Sequence, residues 1–167
     1  KLRRLEKEAA MHQSVRDFVS QYPLKGRILE IGSYNVNGGV RDLFPDSDYI
    51  GIDIREGPGV DKVMNGAKLA FSDKSFDGVL YLETMEHDKT FWLTLAEIGR
   101  VLKEGGRLIA TARGIGFPLH DYPGDYYRFT KQFFEDLEGY QDKIVIDDPQ
   151  YSGVFFTGLR DGQRKTF

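Results

Sequence analysis

The chain contains no cysteine. That excludes a disulfide framework, a thiolate nucleophile and cysteine-ligated zinc, and it fits a reducing compartment, so a cytoplasmic location is expected. Long apolar runs are also missing, and no stretch approaches the length that a membrane span needs. No secretory signal pattern opens the sequence, and its first residue is Lys1 rather than Met, which leads us to expect an upstream segment. An excess of positive charge is the third absence. Lys and Arg number 23 against 26 Asp and Glu, a formal net charge of −3, so no global field is available to hold nucleic acid. Lys1, Arg3, Arg4 and Lys7 cluster locally and read as the solvated face of a helix.

What is present is ordinary for a globular chain. The 167 residues are 40% hydrophobic and 29% charged, enough for one domain (1–167) with a real core. Residues 1–21 carry a rough apolar stripe of helical spacing, stopped by Pro23 and Gly26. Arg27–Ile31, Tyr49–Ile54, Val60–Met64, Phe76–Leu82 and Arg107–Ala112 read as strands. Between them, Gly38–Phe44 reads as a short helix, and Lys89–Leu102 as a longer one ended by Gly105–Gly106. A Gly/Pro/aromatic loop follows from Arg113 to Phe129, then a helix over Thr130–Leu137 with Thr130 as N-cap. Lys143–Ile146 and Val154–Leu159 close the chain as strands. Strand–helix alternation demands a mostly parallel sheet covered on both faces. The short last connection makes the final strand antiparallel. The expected fold is therefore α/β, a three-layer Rossmann-like sandwich with an antiparallel C-terminal strand, residues 27–112 holding a cofactor and 113–167 an acceptor loop and the closing strands.

The most informative stretch is ILEIGSYNVNG, residues 28–38, followed by YIGIDI, residues 49–54. The first is a strand that breaks at Gly32 into a polar loop; the second ends on the carboxylate Asp53, placed to grip a ribose diol. A phosphate-binding loop would need Gly-Lys-Ser/Thr, and a dinucleotide fingerprint a second glycine where Tyr34 stands. What remains is a cradle for a nucleoside without phosphates, preceded by the acid Glu30. A nicotinamide cofactor shares only the acid of the second strand.

This pattern resembles the class I, Rossmann-like S-adenosylmethionine-dependent methyltransferases, particularly those called methyltransferase type 11. The resemblance runs from about Arg27 to Thr130, through LEIG at Leu29–Gly32, GIDI at Gly51–Ile54, SFDGVLYLETMEH at Ser75–His87 and EIGRVLKEGGRLI at Glu97–Ile109. It implies S-adenosyl-L-methionine as cofactor. Gly32, Ser33 and Tyr34 would line its methionine and ribose, Glu30 would face its amino group, Asp53 its ribose hydroxyls and Ile54 its adenine. Asn65, Gly66 and Ala67 stand where the family often receives the adenine amino group, with Asn65 in place of an Asp. Tyr81 completes the implied cofactor set.

Methyl transfer requires a base only for a hydroxyl or amine acceptor. His87, in the Met-Glu-His segment after the fourth strand, and His120 and Asp121, in the loop after the fifth, are the catalytic candidates. Tyr126, Tyr127 and Arg128 are candidates for acceptor binding. The plainer readings are that an Arg128–Asp125 or Arg128–Asp121 pair merely ties the loop, and that His87 anchors it. No His-x-x-x-His spacing is present, so no metal is expected. The function expected is methyl transfer to a small-molecule or glycan-like acceptor by a monomer or homodimer; the alternative is an inactive cofactor-binding module or subunit of a larger complex. Nucleic acid as acceptor is disfavoured by the charge balance.

Overall fold

A computed structural model describes residues 13–35, 38–120 and 124–162. The helix expected over 1–21 is seen as α1 over residues 13–20, its earlier part lying outside the described residues. The sheet then builds from β1 (Arg27–Ile31), β2 (Asp48–Asp53), β3 (Lys62–Val63), β4 (Phe76–Leu82), β5 (Leu102–Arg113), β6 (Tyr140–Asp147) and β7 (Gly153–Arg160), with α2 (Phe91–Val101) before β5 and α3 (Lys131–Glu135) after it. The strand order is β3-β2-β1-β4-β5-β7-β6. The first five strands are parallel, and β7 runs antiparallel to both β5 and β6. No helix among the described residues is long and apolar enough to cross a membrane.

The period-2 pattern of the strands divides their side chains between two cores. Ile28, Leu80, Ile109 and Phe155 face one side, where Val15, Phe18 and Val19 of α1 cover them. Their neighbours Leu29, Val79, Leu108 and Phe156 face the other, against Leu95, Ile98 and Val101 of α2 and Phe134 of α3. Each strand must therefore be apolar at nearly every position, which is why β1 and β4 read as unbroken apolar runs.

Several elements differ from expectation. The segment Gly38–Phe44 holds only a 3-10 turn, Arg41–Leu43. The third strand is reduced to two residues, paired with Ile52 and Asp53 alone. Helix α2 does not run on to the glycines: it stops at Val101, and Leu102 turns straight into β5 with ψ 135°. Leu102 is 1% exposed and pairs with Phe76, and the next partner pair is Gly78 with Arg107, so residues 103–106 form a bulge. Gly105 and Gly106 lie in that bulge rather than at a helix cap. At the other end of β5, Thr130 accepts a hydrogen bond from the Phe133 N–H at 3.4 Å and caps α3 as expected.

Candidate functional site

Ligands of open α/β sheets sit beyond the carboxyl ends of the strands, where the strand order reverses. Here that point lies between β1 and β4. Gly32 leaves β1 with φ +80°, and a Cβ at this position would fall on the Thr84 side chain after β4. Only glycine meets both demands. The N–H groups of Gly32 and Ser33 then both donate to the Ile52 carbonyl, at 2.9 and 3.0 Å, folding the loop over β2. Asp53, the last residue of β2, faces this loop. Its carboxylate accepts from the Tyr34 N–H at 3.4 Å and from the Arg55 N–H at 3.2 Å.

Tyr34 is accommodated where a second glycine was lacking because its ring turns outward. It lies over Gly57 in the β2–β3 loop, where any Cβ would meet the ring, and the Arg55 guanidinium sits 5.0 Å from the ring centroid. The backbone of the cradle is left to itself. Ser33 is buried. Ile54, 57% exposed beside Asp53, offers an apolar rim. Asn65 uses its amide oxygen to accept from the Ala67 N–H at 2.9 Å, so one of the lone pairs expected to face the adenine amino group is spent on its own turn. Gly66 is buried against Thr94 and Ile31, beneath the surface.

Two residues of the implied cofactor set stand elsewhere. Tyr81 is fully buried in the core, its hydroxyl donating to Asp88 at 2.6 Å, and has no surface to offer a cofactor. Glu30 accepts from the Tyr49 hydroxyl at 2.7 Å beneath the loop. Burial pushes its carboxyl up to about 7, against the pull of the Tyr49 hydrogen bond and of Arg41. Because the folded value lies above the unfolded one, this group stabilises the fold fully below about pH 4.3, and that contribution is lost as pH rises toward 7. We expect Glu30→Gln to be more stable than the parent at pH 8, by about 1–2 kcal/mol given partial solvent contact, and to show little difference at pH 4.5. Urea midpoints at the two pH values check this; equal differences at both would show that Glu30 ionises as freely in the fold as outside it.

The opposite wall comes from residues 83–87, 114–120 and 124–128. Glu83 leaves β4 with φ +47°, held by its N–H bonds to the Thr111 carbonyl and hydroxyl, both at 3.0 Å. Its carboxylate pairs with Arg113, which is 1% exposed and also reaches Asp148 at 3.1 Å. Burial raises the Glu83 carboxyl above its ordinary value and the Arg113 charge opposes that. Arg113, expected to begin the loop, is thus the last residue of β5 and the centre of a buried ion network. Neither it nor Glu83 and Asp148 stands out in the sequence, because nothing marks three charged residues up to 65 positions apart as neighbours.

Within the loop, all five N–H donors of Arg128 are spent. They reach the Phe117, Pro118 and Tyr127 carbonyls and both carboxylate oxygens of Asp125. Arg128 is therefore the tie that closes the loop, not an acceptor ligand, and it holds Asp125 well below the usual carboxylate range. Tyr127 is a tie as well, donating to the Lys89 carbonyl at 2.9 Å and packing on Phe91. Tyr126 alone of the three keeps an open face, 48% exposed. Asp121 lies outside the described residues.

The two candidate histidines, 33 positions apart, meet. Their Nε2 atoms are 3.0 Å apart, with Glu86 Oε1 at 4.0 Å from each. Glu86 is completely buried and its side chain has no hydrogen-bond partner among the described residues; burial, and then the neighbouring Glu83, push it up to about 8. Burial and the facing His87 hold His120 below its ordinary value. Sequence reasoning passed over Glu86 because a carboxylate beside a histidine at a strand end is usually solvated.

A glycine turn at the switch point, an acid at the end of the next strand and the order 3-2-1-4-5-7-6 define a Rossmann-like α/β fold. Residues 40–110 match the methyltransferase domain family, a span that takes in Asp53, β2 to β4 and most of β5 but not the Gly32 loop. Among solved structures, the chain is similar to Burkholderia thailandensis 1,6-didemethyltoxoflavin-N1-methyltransferase, bound to 1,6-didemethyltoxoflavin and S-adenosylhomocysteine, at 18% identity and a TM-score of 0.71 over 92% of this chain and 79% of that one. It is also similar to Haemonchus contortus phosphoethanolamine N-methyltransferase 2, in complex with S-adenosyl-L-methionine, at 17% identity and a TM-score of 0.68 over 89% of this chain and 52% of that one. The PH0226 protein of Pyrococcus horikoshii matches at 16% identity and a TM-score of 0.67, over 89% of each chain. No curated protein matches in sequence.

Proposed function

We propose that the chain is an S-adenosylmethionine-dependent methyltransferase that acts on a small-molecule or glycan-like acceptor in the cytoplasm, as a monomer or homodimer. The observation that carries this reading is the Asp53 carboxylate, which faces the Gly32 turn and, among the described residues, takes two backbone donors on its two oxygens. An ionised carboxylate has about four acceptor positions, so lone pairs remain for a pair of ribose hydroxyls. Gly32, Ser33 and Tyr34 would hold the cofactor with their backbone, Ile54 would cover the adenine, and residues 65–67 would border it. When bound, S-adenosylmethionine supplies a methyl group on a positively charged sulfur, ready for in-line transfer. The chain's own task is then to hold the acceptor in line and exclude water. Residues 83–87 and the loop closed by Arg128 stand on the side where an acceptor would lie, and the exposed Tyr126 offers it an aromatic face. The small-molecule acceptor is supported by the Burkholderia thailandensis neighbour and by the absence of a basic surface balance.

Thermal denaturation tests the reading. At a hundred times Kd, S-adenosylmethionine and its demethylated product should each stabilise the fold by about 2.7 kcal/mol, a rise in Tm of roughly 5–10 °C. A rise with a nicotinamide dinucleotide and none with either sulfur compound would overturn it. Binding without turnover across an acceptor screen would leave an inactive module.

A further inference from the structure

His87 and His120 face each other nitrogen to nitrogen, their Nε2 atoms 3.0 Å apart. The Nδ1 of His87 lies against the Gly124 carbonyl oxygen, which can only accept, so Nδ1 carries the hydrogen and Nε2 the lone pair. The Nδ1 of His120 lies 3.2 Å from Asp125 Oδ2 but makes no hydrogen bond to it, so this ring is free to take the tautomer that turns a lone pair at Nε2 toward His87. Two imidazole nitrogens at 3.0 Å, that of His87 bare, form a pair that a cation can bridge. The third group at this point is Glu86, fully buried, with neither carboxylate oxygen hydrogen-bonded and with Oε1 at the same 4.0 Å from both imidazoles. A buried carboxyl whose oxygens have no hydrogen bond among the described residues is costly to ionise, and a bound cation would offset that cost. The three potential ligand atoms, one from each residue, lie within 4.8 Å of one another.

We propose that Glu86, His87 and His120 bind one divalent transition-metal ion of zinc's class. Zinc–imidazole bonds are about 2.0–2.1 Å long, so two nitrogens bound at a right angle lie about 3.0 Å apart and two bound tetrahedrally about 3.4 Å. The histidine pair already has that spacing. Glu86 Oε1 must move inward by about 0.5–1 Å to complete the set, a change that a side-chain rotation supplies. Two imidazoles and one carboxylate with positions left open select zinc, iron(II), cobalt(II) or nickel(II) over magnesium and calcium, which take oxygen ligands. The outer groups are already in place. A backbone carbonyl orients the His87 ring, and the Asp125 carboxylate lies 3.2 Å from the His120 Nδ1, close enough to take its hydrogen when Nε2 binds a metal. His120, 37% exposed, leaves an approach from solvent. The open positions of the ion would face the loop on which His120 stands, and would take an oxygen of the acceptor. That last clause rests on the methyltransferase reading; the metal site itself does not.

The untagged chain, stripped with chelator, should bind Co2+ with one-to-one stoichiometry and give a visible absorption band, and Zn2+ should displace it while Mg2+ does not. His120→Gln and Glu86→Gln should each weaken Co2+ binding by more than about a hundredfold, beyond the loss typical of an outer-shell change. His120 is partly exposed, so its variant is expected to fold, and circular dichroism verifies this for both. Asp53→Ala should bind Co2+ as the parent does while losing S-adenosylmethionine, so failure of the cofactor reading and failure of the metal site are read on separate titrations. Absence of one-to-one binding by the parent, or equal binding by the parent and both variants, overturns the proposal.

Discussion

Asp53→Ala is expected to weaken S-adenosylmethionine binding by more than about a hundredfold while moving Tm by less than about 2 °C. The first number follows from the bonds at stake. A hydrogen bond from a hydroxyl to an ionised carboxylate contributes about 1.5–3 kcal/mol, and Asp53 has acceptor positions for two. Loss of both amounts to about 3 kcal/mol or more, and each 1.4 kcal/mol is a factor of ten in Kd. The second number follows from position. Asp53 is only partly buried at the end of β2, and the two backbone donors it serves, at 3.4 and 3.2 Å, are long bonds near solvent that water can replace. Asp53→Asn keeps one acceptor oxygen and should fall between the two, at about tenfold. Titration calorimetry with the demethylated cofactor product, which cannot turn over, measures all three. A Kd within about threefold of the parent in Asp53→Ala would remove the ribose role from this residue, and with it the observation on which the cofactor reading rests.

Much of this arrangement was legible because it is local. β1 and β4 have the bounds expected from their apolar runs, and Thr130 caps α3 from a three-residue signal. The antiparallel end of the sheet followed from the brevity of one connection. Where the reading failed, a distant partner decided. Gly105 and Gly106 looked like a helix stop, but Leu102 is drawn into the core beside Phe76, so the strand begins earlier and the glycines serve a bulge. Arg128 carried an open alternative between binding an acceptor and tying its own loop, and only the count of its donors settles that. Tyr81 lies on a strand whose end borders the site, yet the period of the strand turns it into the core toward Asp88. The histidine pair was out of reach altogether. Metal-ligand spacing is legible when ligands share one helix or one loop, whereas His87 and His120 come from the ends of neighbouring parallel strands.

Arg113→Met should be the most destabilising single change in the site, lowering stability by about 3–5 kcal/mol. Arg113 is 1% exposed and stands between two carboxylates, Glu83 and Asp148, with the Phe117 ring 4.6 Å from its guanidinium carbon. Methionine fills much of its volume but carries no charge, so both carboxylates are left buried without a cation, although Asp148 keeps the Gln150 N–H at 2.9 Å. That penalty, rather than the energy of the ion pairs themselves, sets the size of the effect. For a chain of this length, about 2–4 °C of Tm accompanies each kcal/mol, which places the fall near roughly 10–15 °C. The same reasoning dictates the control. Adding Glu83→Gln and Asp148→Asn to Arg113→Met removes the stranded charges and should recover at least half of the loss, since an uncharged cluster of similar shape has little to desolvate. Glu83 sits at φ +47°, a conformation that costs a side-chain-bearing residue about 1–2 kcal/mol and that the Arg113 contact helps to hold. Without that contact Glu83 is free to relax, carrying Thr84 away from Gly32 and Glu86 away from the histidines. A fall in Tm of less than 2 °C in Arg113→Met would show that the two carboxylates accept protons or water at little cost, and that the wall after β4 is held by the Thr111 bonds alone.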